Sequence, residues 1–335
     1  MKKVTLYDVA KQAGVSPKTV SRVINNEASV SDQKRQVVLG VVKKLGYKPN
    51  NSARSLRNKR AYSIALLYDN LSPAYILDLQ AGLLSVCEEA HYNLLIKDCN
   101  FNNKVLIDQV SELLENTKVD GFVLSPPISD NKRLIKLLLE KQCPFVRIAP
   151  LDGSLISPFV LADDCELARE VTDYLIGLGH ERIAFIAGDK THSASIERLA
   201  GYKQALESAS ISFDEKLLEQ GDFSFESGEQ CALNLLDKAT RPSAIFASND
   251  YMAAGVMKVA QKLGLTVPND LSVVGFDDAP VSSQLWPTLT TVKQPVKEIA
   301  AQSATLLLDA INNKEAKHES VKLHCELVVR ESTSS

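Results

Sequence analysis

The sequence predicts an N-terminal all-α helix-turn-helix head followed by an α/β body with two doubly wound lobes, each built on a parallel sheet. Three observations predict this organisation. Residues 4–25 have the apolar spacing of two short helices joined by a tight turn. From residue 63 onward, short apolar runs rich in β-forming residues alternate with longer amphipathic runs. This alternation occurs as two successive series, and each series is long enough to form a lobe.

The head begins with two short helices. Apolar residues recur at helical spacing from Leu6 to Ala13, and Gly14 ends this helix. Ser16 followed by Pro17 is typical of the N-cap and first turn of a second helix. One side of the second helix is apolar. Its other side carries Lys18, Thr19, Ser21, Arg22 and Asn25.

Those polar side chains are the hydrogen-bonding groups that phosphate oxygens and base edges require. A helix that presents them while it packs across a preceding helix is typical of a recognition helix in the DNA major groove. Many small helical pairs also have a polar outer face without binding DNA, so this pattern alone leaves that alternative open.

A third helix is predicted to follow, capped by Ser31 and extending through Leu45. Five of its apolar residues are predicted to face inward: Val37, Val38, Val41, Val42 and Leu45. The residues 46–49, Gly-Tyr-Lys-Pro, end the helix. The basic, polar run 50–60 that comes next is too short to hold a helix by itself.

The charge of the chain is unevenly distributed. The whole sequence has a formal net charge of −3, but residues 1–60 contain 14 Lys and Arg against three acidic residues. The head therefore carries +11, which leaves −14 for the rest of the chain. A basic head on an acidic body favours a polyanionic partner for the head alone.

Other features of the composition exclude several classes of protein. The six cysteines are scattered without a C-x-x-C pair, which is typical of reduced thiols in the cytosol. No apolar run approaches the ~18 residues of a membrane span, and the five histidines lack metal-ligand spacing. We therefore predict a cytoplasmic protein that contacts no membrane and needs no metal or other cofactor.

The body reads as two series of strands and helices. In the first series the predicted strands are Ile64–Leu67, Leu94–Ile96, Gly121–Leu124 and Phe145–Ile148, with helices at Tyr75–Ala90, Val105–Glu115 and Leu134–Lys141. In the second series the strands are Ile183–Ala187, Ala244–Ala247 and Val273–Phe276, with helices at Glu166–Leu178, Ile196–Ser208, Ser227–Leu236 and Asp250–Leu263. Ligands of such sheets bind at the carboxyl ends of the strands.

Several segments together resemble the lactose-repressor (LacI/GalR) family of bacterial transcription regulators. They are T-L-Y-D-V-A-K-Q-A-G-V-S-P-K-T-V-S-R-V-I-N, L-G-Y-K-P-N and A-R-S-L in the first 60 residues, and E-R-L-A-G-Y, F-A-S-N-D-Y-M-A-A-G, S-V-V-G-F-D-D and P-T-L-T-T-V-K-Q in the body. The resemblance extends over nearly the whole chain. It implies that the body has the type I fold of periplasmic sugar-binding proteins, with three chain crossings between the lobes.

The same resemblance implies a division into domains. Residues 1–48 form the helix-turn-helix head and 49–60 a hinge helix. Residues 61–162 and 292–322, with a helix at Val296–Asn312, form the first lobe. Residues 163–291 and 323–332 form the second lobe.

Within the head, the resemblance assigns contacts with DNA. Lys18 and Arg22 are expected to contact base edges, since long cationic side chains read guanine acceptors best. Leu56 is expected to wedge into the minor groove at the centre of the operator, which requires two hinges and therefore a homodimer on a near-palindrome. The other expected DNA contacts are Thr5, Leu6, Tyr7, Ser16, Pro17, Thr19, Ser21, Asn25, Ser52 and Ala53.

In the body, the resemblance assigns an effector site. Arg198, Asn249 and Asp277 match the family's most regular effector contacts, and Asp164 lies just after a predicted strand. Guanidinium, amide and carboxylate groups that converge on a cleft suit the hydroxyls of a sugar. Tyr75, Phe223 and Trp286 occupy loop positions where an apolar platform for a sugar ring is expected. Asp250 is a further candidate, with a role as a helix cap as the alternative interpretation. For Asp163 and Asp278 the alternative interpretation is that they are structural neighbours of the residues that contact the effector.

The sequence thus predicts a DNA-binding transcription regulator that is controlled by a small sugar. Repression is the leading hypothesis for its effect on transcription. A purine or nucleoside corepressor on the same scaffold remains open. A sugar enzyme is a further alternative, but the adjacent carboxylates of Asp163-Asp164 and Asp277-Asp278 are poorly placed to flank a bond. A plain sugar-binding protein would have no use for the basic head. Effector identity, the operator sequence and the sign of the response stay open.

Overall fold

The computed structural model describes residues 4–24, 29–47, 60–69, 72–154, 156–237, 240–313 and 320–335. The chain divides into two compact units, residues 1–62 and residues 63–335. The predicted contacts Asn25, Ser52, Ala53 and Leu56 lie outside the described residues, as do residues 49–59 of the hinge predicted at 49–60.

In the first unit, the described residues 4–24 and 29–47 form three helices: α1, Leu6–Ala13; α2, Pro17–Ile24; and α3, Asp32–Leu45. Their core is formed by small apolar residues, including Val9, Val20 and Val38. The three predicted helices are confirmed. The prediction that Val37 faces inward is wrong, because its side chain is 48% exposed while the adjacent Val38 is fully buried.

Local interactions fix the ends of α1. Thr5 accepts a hydrogen bond from the Asp8 amide at 3.3 Å, and the Asp8 carboxylate accepts the Thr5 amide at 2.8 Å. This reciprocal capping box satisfies two amides that the helix itself leaves without partners. Gly14 ends α1 with φ +65°, a backbone conformation that glycine adopts without a steric cost. These caps confirm the bounds predicted for the first helix.

In the second unit, the larger sheet has six parallel strands in the order β11-β5-β4-β3-β1-β2. The strands are β1, Ser63–Tyr68; β2, Asn93–Asp98; β3, Gly121–Leu124; β4, Phe145–Ile148; β5, Phe159–Ala162; and β11, Val321–Leu323. Helices of this lobe are α4, Pro73–Ala90; α5, Leu106–Thr117; α6, Lys132–Glu140; and α12, Val296–Asn312. A fully apolar strand such as β3, buried along its whole length, is typical of a sheet covered on both faces.

The smaller sheet has four parallel strands in the order β7-β6-β8-β9. These strands are β6, Ile183–Ala187; β7, Leu218–Gln220; β8, Ala244–Ala247; and β9, Ser272–Val274. Helices of this lobe are α7, Asp164–Gly177; α8, Ser193–Ser208; α9, Phe225–Leu236; α10, Asp250–Lys262; and the short α11, Pro280–Gln284. The two-lobed parallel architecture predicted from the sequence is confirmed.

Two short strands, β10 (Thr291–Lys293) and β12 (Glu326–Val328), pair with each other in antiparallel fashion. The chain leaves β10 for α12, passes through β11 at the edge of the six-stranded sheet, and then enters β12. β11 pairs with β5 in the larger sheet, which agrees with the predicted return of the chain after residue 291 to the first lobe.

The C-terminal residues 331–335, which look like a plain polar tail in the sequence, are built into the second lobe. Ser332 is fully buried; its hydroxyl donates to the Val273 carbonyl at 2.6 Å and accepts the Thr290 amide at 2.8 Å. The Ser332 carbonyl accepts the Val273 amide at 2.8 Å. His180 adds a contact between its Nε2 and the Ser334 carbonyl at 3.0 Å. The segment thus extends the edge of the smaller sheet.

We expect Ser332→Ala to lower the free energy of unfolding by about 1–3 kcal/mol, because it leaves a buried amide and a buried carbonyl without partners. The measurement is urea denaturation of the full-length protein. The matched control is Ser335→Ala at an exposed position, which is expected to change stability by less than about 0.5 kcal/mol. Equal stabilities of the two variants would contradict the role assigned to Ser332.

Candidate functional site

The outer face of α2 presents the polar residues that the sequence assigns to DNA. Among them Lys18 is exposed, whereas Pro17, Thr19, Ser21 and Arg22 are half-buried. At the start of α1, Thr5 and Tyr7 are exposed, Tyr7 with 73% of its surface, and Leu6 is half-buried. A free ammonium group on an exposed helix face is available to an acceptor on a base edge or a phosphate.

Ser16 and Thr19 have a structural role within the head. The Ser16 hydroxyl accepts the Thr19 amide at 3.1 Å and lies 2.9 Å from the Thr19 hydroxyl. Ser16 therefore caps α2 as the sequence predicts. The two hydroxyls retain free lone pairs for a further contact, but their positions are set by the helix end.

The second unit has a cleft between its lobes, at the carboxyl ends of several strands of both sheets. Its cavity volume is about 50 Å³. The lining residues are Ser72, Tyr75, Pro126, Ala149, Asp164, His192, Ala194, Arg198, Phe223, Asn249, Asp277 and Gln294. Six of the seven effector contacts predicted from the sequence are therefore brought together here.

Arg198 lies at the centre of this cleft, on α8. Its Nε donates to Asp164 Oδ1 at 2.7 Å, and its Nη1 donates to the Ser248 carbonyl. Nη1 also lies 3.9 Å from Asp277 Oδ1, and the guanidinium carbon lies 3.5 Å from the centroid of the Phe276 ring. The Arg198 side chain is only 4% exposed. Its position is thus fixed by carboxylate, carbonyl and aromatic contacts before any ligand binds.

Asp277 is buried beside this guanidinium. Burial raises its pKa to about 6; the charges of Arg198 and a hydrogen bond from Gln294 oppose this shift, and the nearby Asp164 adds to it. Gln294 Nε2 donates to Asp277 Oδ1 at 2.8 Å. The Asp277 backbone has φ +112°, outside the conformations that side-chain-bearing residues prefer. Strain and a perturbed pKa at one residue are typical of a functional site.

Asn249 and Phe223 form one wall of the cleft. Asn249 is the N-cap of α10: its Oδ1 accepts the Met252 amide at 2.9 Å, and its Nδ2 donates to the Phe223 carbonyl at 2.9 Å. Phe223 has φ +71°, and its ring packs so closely on Gly188 that a Cβ there would collide with it. Asn249 therefore holds a strained aromatic residue in place, and one of its amide hydrogens remains for a ligand.

The opposite wall includes Tyr75 of α4. Burial raises the pKa of Tyr75, and the charges of Asp164 and Asp277 raise it further. The Tyr75 hydroxyl is therefore neutral over the physiological range and can donate or accept a hydrogen bond.

Trp286 does not contribute to the cleft. Its side chain is 86% exposed, and it is absent from the described residues that line the cleft. The loop that follows α11 carries it out to the surface instead. The geometry thus gives no support to the predicted platform role of Trp286, whereas the other two predicted platform residues, Tyr75 and Phe223, line the cleft.

The acidic residues beside the site have structural roles. Asp250 does not cap α10, because Asn249 does; Asp250 is fully buried, accepting the Ala279 amide at 2.7 Å and the Thr291 hydroxyl at 2.5 Å. Asp163 caps α7 and pairs with Lys322. Asp278 pairs with Arg330 at 2.6 Å. The alternative that Asp163 and Asp278 are neighbours of the site is therefore supported by their contacts.

Sequence reasoning missed several residues of the cleft: Ser72, Pro126, Ala149, His192, Ala194 and Gln294. Most follow a strand or start a helix, as the carboxyl-end rule predicts in general. Ser193, next to His192, donates its hydroxyl to the Ala149 carbonyl at 2.7 Å, so this region also joins the two lobes. Gln294 directly follows β10, a strand that the sequence did not predict, but it is the last residue of the P-T-L-T-T-V-K-Q segment.

A helical head with a basic α2 face, followed by a two-lobed body whose cleft contains Asp164, Arg198 and Asp277, defines a bacterial DNA-binding regulator with a small-molecule site. Residues 5–50 match the family model of bacterial regulatory proteins of the lacI family, and residues 172–333 match that of the periplasmic binding protein-like domain. The chain belongs to the LacI family of transcription regulators.

The chain resembles known members of this family over its whole length. It is 37% identical to the HTH-type transcriptional regulator DegA of Bacillus subtilis (strain 168), over 99% of this chain and 98% of DegA. The structure of the regulator CelR in complex with cellobiose covers 98% of this chain and 100% of CelR, with 32% identity and a TM-score of 0.76. The lac repressor dimer bound to operator and the anti-inducer ONPF covers all of both chains, with 29% identity and a TM-score of 0.76.

In the part of the chain that the structure describes, no helix is long and apolar enough to cross a bilayer.

Proposed function

We propose that this protein is a transcriptional repressor that binds a near-palindromic operator as a homodimer and is controlled by a small neutral sugar. The observation that carries the effector part is the convergence of Asp164, Arg198 and Asp277 in a cleft between two lobes. The operator-bound dimer of the lac repressor and the cellobiose complex of CelR, which this chain resembles, support the partners.

The charge of the cleft favours a neutral ligand over an anionic one. Two carboxylates, Asp164 and Asp277, lie beside the single guanidinium of Arg198. An anion would gain one attraction and meet two repulsions at short range. A neutral polyol instead finds acceptors in the carboxylates and donors in Arg198, Asn249 and Gln294.

Control of transcription requires that the sugar bind the DNA-free and the DNA-bound arrangements with different affinities. The cleft lies between lobes that are linked by β11, β12 and the Ser193–Ala149 hydrogen bond. A ligand that contacts both walls therefore biases the relative placement of the lobes. In the proposed mechanism that placement decides whether the hinge segments 49–60 of two subunits can meet on the operator. A regulator of chromosomal DNA acts in the cytoplasm, and we place the protein there.

The test is recovery of bound fragments from sheared genomic DNA at moderate salt, with and without cellobiose, ribose, other neutral sugars and a purine base. Recovery of a few sites that share a near-palindrome, and their depletion by one sugar, would support the proposal. Uniform recovery that vanishes as salt is raised would mean that the head binds only phosphate charge, and the proposal would be wrong. Depletion by a purine base and by none of the sugars would overturn the effector class.

The recovered operator allows a test of the α2 face. We expect Lys18→Ala to weaken operator binding by about 1–3 kcal/mol and to relax the preference at one base position, because an exposed cation can read a guanine edge. Lys44→Ala removes the same charge from the exposed end of α3 and serves as the control. Fluorescence anisotropy with operator and scrambled duplexes measures both. If Lys18→Ala loses the same affinity for the operator and for the scrambled duplex, Lys18 contacts phosphate rather than a base edge.

A further inference from the structure

We propose that His192 accepts a hydrogen bond from one hydroxyl of the effector through its Nε2, and that this contact makes the cleft select hydroxylated neutral ligands. This inference rests on the effector site proposed above and identifies a residue within it that determines specificity. None of the motifs shared with the LacI family includes His192, which lies six residues before Arg198.

The first observation is an unused nitrogen in the cleft. His192 lines the cleft, and its side chain is only 12% exposed. Its Nε2 is shielded from solvent and finds no hydrogen-bond partner among the residues that the structure describes. A buried polar atom without a partner costs free energy. A ligand that supplies the missing hydrogen bond recovers this cost, and the unliganded cleft therefore favours such a ligand.

The second observation fixes which tautomer His192 adopts. Thr191 donates its hydroxyl hydrogen to Asp189 Oδ1 at 2.5 Å, and the Thr191 oxygen then presents lone pairs to His192 Nδ1 at 3.4 Å. Asp189 Oδ1 itself lies 3.8 Å from Nδ1. Both neighbours of Nδ1 are acceptors, and the ring proton is therefore placed on Nδ1. Nε2 is left with a lone pair, so it accepts a hydrogen bond and cannot donate one.

The third observation is that the ring is held in a fixed orientation. The His192 ring meets the Phe223 ring edge to face, with centroids 5.3 Å apart and an interplanar angle of 71°. Phe223 is in turn held by Asn249 and by the space that Gly188 leaves. The His192 ring, and Nε2 with it, is thus held in one orientation at the wall of the cleft, as a residue that discriminates between ligands requires.

The charges around His192 keep it neutral. Burial lowers the pKa of His192, and the charge of Arg198 lowers it further, against the opposing charges of Asp189 and Asp69. The other titratable groups of the cleft are Asp164, Asp277 and Tyr75. A lone pair surrounded by carboxylates repels a ligand carboxylate or phosphate and attracts a hydroxyl hydrogen. Protonation of His192 removes the lone pair, and binding of the neutral ligand weakens as the pH falls.

The test uses calorimetry with the full-length protein at pH 7.5 and pH 5.5. The ligands are cellobiose, ribose and glucose as neutral sugars, with glucuronate and glucose 6-phosphate as anionic counterparts. The variants are His192→Phe, which removes the acceptor, and His192→Gln, which keeps a side-chain oxygen acceptor. His324→Gln, at an exposed position away from the cleft, is the matched control.

We expect a neutral sugar to bind the natural protein at pH 7.5 and to bind more weakly at pH 5.5. His192→Phe is expected to lose affinity at least tenfold, whereas His192→Gln and His324→Gln stay within about threefold. Asp277 also titrates near pH 6 and remains in every variant. The contribution of His192 is therefore the part of the pH dependence that disappears in His192→Gln.

Two results would overturn the inference while leaving the sugar-controlled regulator intact. One is a neutral sugar that binds His192→Phe as tightly as it binds the natural protein. The other is a pH dependence that is the same in His192→Gln and in the natural protein. Tighter binding of glucuronate or glucose 6-phosphate, strengthening at pH 5.5, would overturn the inference together with the neutral effector class. Binding of none of the five compounds, despite specific recovery of an operator, would do the same.

Discussion

Replacing Arg198 with methionine is expected to lower the free energy of unfolding by about 3–5 kcal/mol at pH 7.5, and to abolish the effector response. The variant leaves Asp164 and Asp277 buried side by side without the guanidinium that lies between them. It also removes the donor to the Ser248 carbonyl and the cation above the Phe276 ring. Removal of one partner from a buried ion pair leaves an uncompensated charge, which costs more than the pair itself contributed.

The size of this loss is expected to depend on pH in a definite direction. Arg198 holds the pKa of Asp277 down against burial, so the pKa rises further in the variant. A carboxyl whose folded pKa lies above its unfolded value destabilises the protein most when the pH is above the folded pKa. As the pH falls from 7.5 to 5, the carboxyl takes up a proton and the loss of stability shrinks.

Urea denaturation at pH 7.5 and pH 5 measures both effects. The matched control is Arg169→Met on α7, where Arg169 pairs with Asp173 at 3.5 Å and both side chains are about half exposed. An exposed pair of this kind contributes ~0.3–0.5 kcal/mol. Arg198→Lys is the second variant, since it keeps the charge but loses the two-pronged geometry. If Arg198→Met and Arg169→Met were equally stable, the buried cluster would contribute no more than a surface pair.

The sequence predicted the long-range architecture well, because the local signals were strong. Four-residue runs such as Gly121–Leu124 are wholly apolar and wholly buried, and periodicity locates them without ambiguity. Helix ends shifted by only a few residues, for instance from Ile196 to Ser193 at the start of α8. These shifts arise where polar residues at a helix start carry no apolar periodicity.

The short edge strands were less predictable. β7, β10, β11 and β12 are three residues each, and none of them is buried along its whole length. A three-residue run cannot establish an alternation, so its strand character depends on a partner far away in the chain. The C-terminal Ser332 illustrates the same limit, since only the opposing edge at Val273 makes that serine a buried residue.

The cleft residues that lie within recognisable sequence motifs were predictable. Arg198 and Asp277 followed from motifs, and the structure brings both to the cleft. Asn249 came from a motif as a ligand contact, but only the structure reveals that it also caps α10 and holds Phe223. The sequence does not reveal that His192 lines the cleft and that Trp286 lies on the surface. Their burial is set by loop paths that local pattern does not encode.

Asp277→Asn is expected to stabilise the protein at pH 7.5, by up to about 3 kcal/mol, while it weakens effector binding. Burial raises the pKa of Asp277 from 3.8 to about 6, and one pKa unit corresponds to about 1.4 kcal/mol. Between these two pKa values the folded protein binds more protons than the unfolded chain, so the stability of the natural protein falls as the pH rises through this window. Asn carries no charge and avoids that loss, and its side chain has nearly the same size and shape as that of Asp.

The measurement is the difference in unfolding free energy between Asp277→Asn and the natural protein from pH 7.5 to pH 4.5, which is expected to shrink as the pH falls. His180 and His192, whose pKa values burial lowers, destabilise both proteins in acid and largely cancel in this difference. Asp173→Asn, at an exposed ion pair, is the control and is expected to change stability by less than about 0.5 kcal/mol. A less stable Asp277→Asn, or a difference independent of pH, would contradict the assignment. If Asp277→Asn gains stability and loses effector binding, then Asp277 is retained for its contact with the ligand although it destabilises the fold.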